Sequence, residues 1–241
     1  MPAVELLLRA LSQRDVLTEA ERTALSELSR YERTFRKGQS IIGPHSEPQE
    51  AGLLLEGIAG REVVLQSGSR QLTALHVPGD FLDLDVFLLK RIDHGVVALT
   101  DCRTVQIQHA ALRRLTEESP HLTRLLWMTA AIDAAIQRHW AVSMGRRDAL
   151  EQMAHLVCEL YLRLRAVGLA ADRAMQLPLS QAVLADVMGV SPVHVNRTLR
   201  ALRARRLLTW RGSRIEIQDF DGLARLAGFD PTYLNLMHRP R

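Results

Sequence analysis

The segment Leu179–Ile217 constrains this chain more than any other, because apolar register, turn residues and charge agree there on one compact unit. In Leu179–Val190 the apolar residues Val183, Leu184, Val187 and Met188 share one face of a short helix. Ser180 is placed to cap it, just after Pro178 closes the preceding segment. Gly189 predicts a tight turn, since glycine enters the left-handed conformation at little cost. Ser191 then caps a second helix, and Pro192 fits its first turn, where no amide donor is required. That helix is expected to bury Val195, Leu199 and Leu202 and to turn His194, Asn196, Arg197, Arg200 and Arg203 to other faces. Ala185, Gly189 and Val195 supply the close approach, bend and core contact of a helix-turn-helix. Leu207–Arg211 and Arg214–Ile217 alternate apolar and polar about Gly212-Ser213, which predicts a hairpin and hence a winged helix.

Charge follows the same segment. Between Ser180 and Ile217 seven arginines stand against Asp186 and Glu216, while the whole chain is only +4, so the remainder is near neutral. Positive charge concentrated on such a unit implies double-stranded DNA as a partner. A solvated arginine-rich face is the alternative.

At 241 residues the chain has room for two domains, and its 47% apolar and 24% charged content is that of a globular protein. No apolar run approaches the roughly 20 residues of a membrane span. The start, MPAVELLLRALSQRD, lacks a basic opening and a cleavage site, so no membrane partner and a cytoplasmic location are expected. Cys102 and Cys158 form no CxxC, which excludes a four-cysteine zinc or iron–sulfur site within one chain. Both are expected to be buried as small apolar side chains. No GxSxG, HExxH or P-loop pattern occurs, so the chain is not expected to be an enzyme.

Upstream, Val4–Leu11 and Glu19–Leu28 read as amphipathic helices, the second with Thr18 and Glu21 at capping-box spacing. From Lys37 to Ile107 glycines punctuate short runs: Gln39–Ile42, Leu53–Leu55, Glu62–Leu65, Gln71–His76, Val96–Thr100 and Thr104–Ile107. They predict an antiparallel barrel or jelly roll, with Ser67-Gly68-Ser69 as a hairpin tip. The chain then reads as helical from Ala110 to about Val167. Within that stretch Leu122, Leu125, Thr129, Ile132, Ile136, His139 and Ser143 recur at steps of three and four. This a/d pattern, about 35 Å long at the helical rise, predicts a homodimer seam, the alternative being a helix packed on its own domain. Gly145 is expected to interrupt the helix and Asp148 to cap a new one, which places a hinge at Met144–Asp148. The fold class is α+β: N-terminal helices and β-roll over 1–118, a dimerisation helix and hinge over 119–147, and a winged helix-turn-helix with a tail over 148–241.

This order of parts resembles the Crp/Fnr superfamily of bacterial transcription regulators over roughly Arg33 to Ile217. The resemblance is carried by VPGDF (Val77–Phe81), SPHLTRLLW (Ser119–Trp127), Asp148 and LADVMGVSPVHVNRTLRALRARRLL (Leu184–Leu208). It implies a cyclic-nucleotide-binding-like roll, a homodimer on a pseudo-palindromic operator, and RNA polymerase as a further partner. The tail Asp219–Leu236 lies beyond the family core, and Leu223, Leu226 and Phe229 suggest a helix folded back on the winged unit. Family members read DNA with the first two turns of the second helix, here Ser191, Val193, His194, Asn196 and Arg197. Arg197 takes the place of the guanine-contacting arginine, whose fork matches N7 and O6. Pro192-Val193 departs from the receptor-type Arg-Glu, so the half-site is expected to differ from that of either founding member. Arg200, Arg211 and Arg214 are assigned to phosphates.

The resemblance places an effector pocket at Asp83, Leu84, Asp85, His94, Gln137 and Arg138. The family's phosphate-binding arginine is missing there, Arg91 is out of register, and two carboxylates would repel a cyclic phosphate, so cyclic AMP is not expected. An N-terminal cysteine cluster for an iron–sulfur centre is lacking. A haem held by His76, His94 or Pro2 is an alternative, and Asp83, Asp85, Asp93 and His94 read as loop residues rather than metal ligands. The resulting expectation is a regulator governed by an effector of unknown identity, with no cofactor named. An effectorless, constitutive dimer is the alternative.

Overall fold

The computed structural model describes residues 4–28 and 31–239. Two helices, α1 (Glu5–Ser12) and α2 (Glu19–Glu27), open the chain. Thr18 and Glu21 form the expected capping box on α2. The roll follows: β1 (Tyr31–Phe35), β2 (Ser40–Ile42), β3 (Glu50–Glu56), β4 (Ala59–Val64), β5 (Arg70–His76), the short α3 (Val86–Leu89), β6 (Gly95–Ala98) and β7 (Cys102–Gln108). The strands form two antiparallel sheets, β1-β7-β3 and β2-β6-β4-β5. Strand β1 escapes the sequence pattern, because four of its five residues, YERT, are exposed and only Phe35 is half-buried. It is held by pairing with β7, from Tyr31↔Gln106 to Phe35↔Cys102.

Three helices then run on: α4 (His109–Glu118), α5 (Pro120–Arg146) and α6 (Ala149–Ala166). Gly145 does not interrupt α5, correcting the expected break. A lone glycine costs a helix about 1 kcal/mol without ending it. The stop lies two residues on, where Arg147 is extended and the Asp148 side chain accepts from the amides of Leu150 and Glu151 in a second capping box. The winged unit comprises β8 (Ala170–Ala171), β9 (Ala174–Gln176), α7 (Gln181–Met188), α8 (Pro192–Ala204), β10 (Leu208–Arg211) and β11 (Arg214–Ile217). The wing is part of a four-stranded sheet, β10-β11-β9-β8, whose strands β8 and β9 the sequence did not reveal. Helix α9 (Phe220–Ala227) folds back with Leu223 fully buried, and a 3-10 turn (Pro231–Leu234) closes the tail.

One apolar core joins α1, α2, β3, β7, α4 and the first half of α5. A second runs without a break from Leu72, Leu75 and Val97 of the roll through α6 into Val187, Met188 and Leu202. These cores decide the fate of the expected seam. Leu122 and Leu125 are wholly buried in the first core and Ile136 lies in the second. Thr129 and Ile132 face a cavity of about 80 Å³ shared with Leu7, His76 and Phe81. His139 stacks on Tyr233 at 3.8 Å between centroids. The seam expectation is therefore corrected: these residues form the inner face of α5. Heptad spacing states that a face will be buried, and the roll, the N-terminal helices, α6 and the tail of the same chain are what bury it. On the outer face Trp127 (74% exposed), Ala131, Ala134, Arg138, Ala141 and Gly145 stand open, also at steps of four and three.

Candidate nucleic-acid interface

Helix α7 starts where Ser180 Oγ accepts from the Val183 amide and ends at Gly189, whose φ of +65° makes the turn. Ser191 Oγ accepts from the His194 amide at 3.3 Å and opens α8, with Pro192 in its first turn. Val195 and Leu202 anchor α8 from beneath. Thr198 is buried with them and donates to the His194 carbonyl at 2.9 Å, while Leu199 is only half-buried. The opposite face presents Ser191, Val193 (71% exposed), His194, Arg197 and Arg200 to solvent. Asn196 is half-buried and donates to Gln181 Oε1 at 3.4 Å. Gln181, the first residue of α7, thus shares this surface, a neighbour visible only once the two helices cross.

Among the described residues Arg197, Arg200 and Arg211 meet no carboxylate within ion-pair distance. Unpaired guanidinia beside the start of a helix give a surface suited to anionic oxygen. On the wing, Arg211 and Arg214 pair across the Gly212-Ser213 turn. Arg214 Nε lies 2.8 Å from Glu216 Oε1, so its charge is partly met within the hairpin. Arg203 donates to the Trp210 carbonyl at 3.2 Å and braces the wing from behind.

The roll side differs from expectation. Leu84, Asp85 and Gln137 do meet, in a cleft of about 180 Å³ between the roll and α5. Arg138 points outward, and Asp83 lines a separate cavity of about 310 Å³ with Phe35, Ile42 and Gln106. There Asp83 accepts from the Gly52 amide at 2.8 Å, and burial pushes its carboxyl up to about 7. His94 is buried with Nδ1 against Asp93 Oδ1 at 2.8 Å.

The cleft is governed instead by a pair the sequence did not single out. Both terminal nitrogens of Arg61 lie 3.1 Å from Asp133 Oδ2, which also accepts from Gln137 at 2.9 Å. Burial is the largest influence on Asp133 and opposes its charge, but the charge and hydrogen bonds of Arg61, with the other basic groups around it, together hold the carboxyl below its usual range. His76 is buried with Nε2 unpartnered; burial, then Arg61, drives its pKa down to about 3, so it is neutral. The cavity beside it, about 80 Å³, is far below the several hundred Å³ of a typical cofactor pocket. His76 does not fit a haem there, and Pro2 lies outside the described residues. Asp83, Asp85, Asp93 and His94 do not converge, and no cluster of three or more such groups occurs among the described residues. No described helix is long and apolar enough to cross a membrane.

Two family models match the chain: a cyclic nucleotide-binding domain over residues 32–119 and a Crp-like helix-turn-helix domain over 151–226. The transcriptional activator protein FnrL of Cereibacter sphaeroides is 28% identical over 218 residues, 88% of this chain and 86% of the relative. The chain belongs to the Crp/Fnr superfamily of transcription regulators. The nitrogen fixation regulation protein FixK of Bradyrhizobium diazoefficiens is 29% identical over 168 residues, 70% of each chain. The structure of FixK2 from Bradyrhizobium japonicum shares the fold with a TM-score of 0.74 at 23% identity, covering 83% of this chain and 98% of that one. Within this Crp/Fnr frame α8 is the second helix of the DNA-binding motif, and the Arg61–Asp133 cleft lies between roll and long helix.

Proposed function

We propose that this regulator reads a pseudo-palindromic operator as a homodimer. Each protomer lays α8 in the major groove, with Ser191, Val193, His194, Asn196 and Arg197 toward the bases and Arg200, Arg211 and Arg214 toward phosphates. The observation that carries this reading is the outer face of α8, where exposed arginines face no carboxylate among the described residues. The working units are the sensor roll (1–118), the dimer helix (119–147) and the DNA-reading unit with its tail (148–241), and the bound dimer engages RNA polymerase.

The two-fold runs along the outer face of α5, where Ala131, Ala134 and Ala141 let two backbones approach closely and Trp127 gives apolar area. Such an axis sets two copies of α8 about one DNA turn, roughly 34 Å, apart. The effector enters the cleft at Arg61, Leu84, Asp85, Asp133 and Gln137, and shifts α5 by competing for the Arg61–Asp133 pair. A second reading, an effectorless dimer, is favoured by Asp133 already satisfying Arg61; a metabolite that raises the melting temperature of wild type but not of Arg61→Gln excludes it.

Selection of bound fragments from random DNA tests the whole proposal, since it should return two inverted half-sites at a fixed spacing. Ala134→Arg with Ala141→Arg should halve the sedimenting mass while the circular dichroism spectrum of the folded protomer is kept. An unchanged mass refutes this two-fold.

A further inference from the structure

We infer that Gln71 and Arg70, on the roll, are positioning residues for DNA reading: they grip the turn that precedes α8 and fix where it points. The inference rests on the DNA-reading proposal above. An α-helix leaves its last four carbonyls without donors of its own. In α7 the Ala185 carbonyl is taken by Gly189 and Val190. The next two are taken from far away in the chain. Gln71 Nε2 donates to the Asp186 carbonyl at 2.7 Å, across 115 residues, and shares its second proton between the Val187 carbonyl at 3.2 Å, across 116 residues, and the Leu72 carbonyl of its own strand at 3.0 Å. Gln71 Oε1 lies 3.5 Å from where a Cβ on Gly189 would stand, so the contact reaches the turn itself. Beside it Arg70 Nε and Nη2 lie 3.0 and 2.5 Å from Asp186 Oδ2. The acidic Asp186 is ill placed at a helix C-terminus, and Arg70 offsets its charge there.

The grip does not mask the reading surface. With it closed, Ser191, Val193, His194, Arg197 and Arg200 are all exposed. It therefore presents α8 rather than hiding it, and removing it should weaken operator binding. The same hairpin also reaches the effector cleft. Gln71 stands on β5, which pairs with β4 through Arg61↔Ala74, and β5 leads on to Phe81 in the cleft wall. Leu72 and Leu75 of β5 share a core with Val187 and Met188 of α7. The cleft and the reading turn lie at two ends of one hairpin, a route separate from the α5–α6 junction at Arg147.

Gln71→Met keeps length and neutrality and removes the donor, whereas Gln71→Lys keeps a donor. On the full-length protein, affinity for the site selected from random DNA is measured relative to random duplex, which cancels general charge effects. The ratio should fall about ten-fold in Gln71→Met and return toward wild type in Gln71→Lys. Without DNA, backbone amides of 185–190 should exchange hydrogen faster in Gln71→Met only. An unchanged or increased ratio in Gln71→Met overturns the inference, as does unchanged exchange. If wild type prefers no site, the DNA-reading proposal falls, and the exchange measurement alone then decides whether the grip exists.

Discussion

Arginine does opposite work in the two regions of this molecule. Where the roll meets α5 and α6, Arg61 and Arg163 are buried and already paired, Arg61 to Asp133 and Arg163 to Asp80 and Glu159. On α8 and the wing, Arg197, Arg200 and Arg211 are exposed and, among the described residues, face no carboxylate. Water screens an exposed charge and leaves it free for an incoming phosphate. A buried charge must find its partner inside the chain, and losing that partner is costly. One residue type thus holds domains together in one region and waits for a ligand in the other.

The sharpest way to break this contrast is Arg163→Met. Arg163 donates to Asp80 at 2.6 Å, to Glu159 at 3.1 Å and to the Leu75 carbonyl at 2.9 Å, and so ties α6 to the roll. Glu159 is fully buried, and burial raises its pKa despite Arg163, Tyr233 and Trp140. Without Arg163 the loss should be about 3–5 kcal/mol in urea unfolding at neutral pH. Adding Glu159→Gln should recover much of it, because the orphaned charge is gone. A loss below about 1 kcal/mol in the single variant would mean that this arginine is screened like a surface one.

That contrast also explains what could be read from the chain. The helix-turn-helix and its hairpin were legible because their logic is local: Ser180, Gly189, Ser191 and Pro192 set caps and turns within a few residues, and the excess of arginine over acid can be counted. Arg61–Asp133 and Arg163–Asp80 span 72 and 83 residues, and nothing local marks one as the partner of the other. The inner face of α5 was legible as a buried face but not as to what buries it, since Leu122 and Leu125 suit any apolar surface. Strand β1 was hidden because an edge strand of YERT has no apolar alternation. The FnrL and FixK likenesses extend the family over the roll, yet Asp83 and His94 sit away from the cleft that sequence register assigned them.

Asp83 gives the second test, because it is a buried acid that no arginine pairs. Burial raises its carboxyl from 3.8 to about 7, the Asp85 charge adds to this, and the Gly52 amide opposes it. The folded state therefore binds this proton more tightly than the unfolded one. Its contribution to stability is complete below pH about 4, falls as pH rises through the interval up to about 7, and is flat above. Asp83→Asn keeps an acceptor for Gly52 and removes the charge. The variant should gain on wild type as pH rises across that interval, by on the order of a few kcal/mol at pH 8. Parallel stability curves would show that the carboxylate is solvated, and the contrast between the two regions would weaken.

The smallest effect belongs to the exposed side. Arg197→Ala should leave urea unfolding unchanged within about 0.5 kcal/mol, since the side chain contributes to no core and no ion pair. Binding to the selected DNA site should weaken by about 1–3 kcal/mol, and preference at one guanine should relax. Arg197→Lys separates charge from shape: a lysine keeps the attraction to phosphate but lacks the flat fork that spans N7 and O6. If Arg197 reads a base, Lys should resemble Ala on the selected site and resemble wild type on random duplex. If Lys matches wild type on both, Arg197 acts as a phosphate contact like Arg200, and base choice passes to His194 and Asn196 at the start of the same helix.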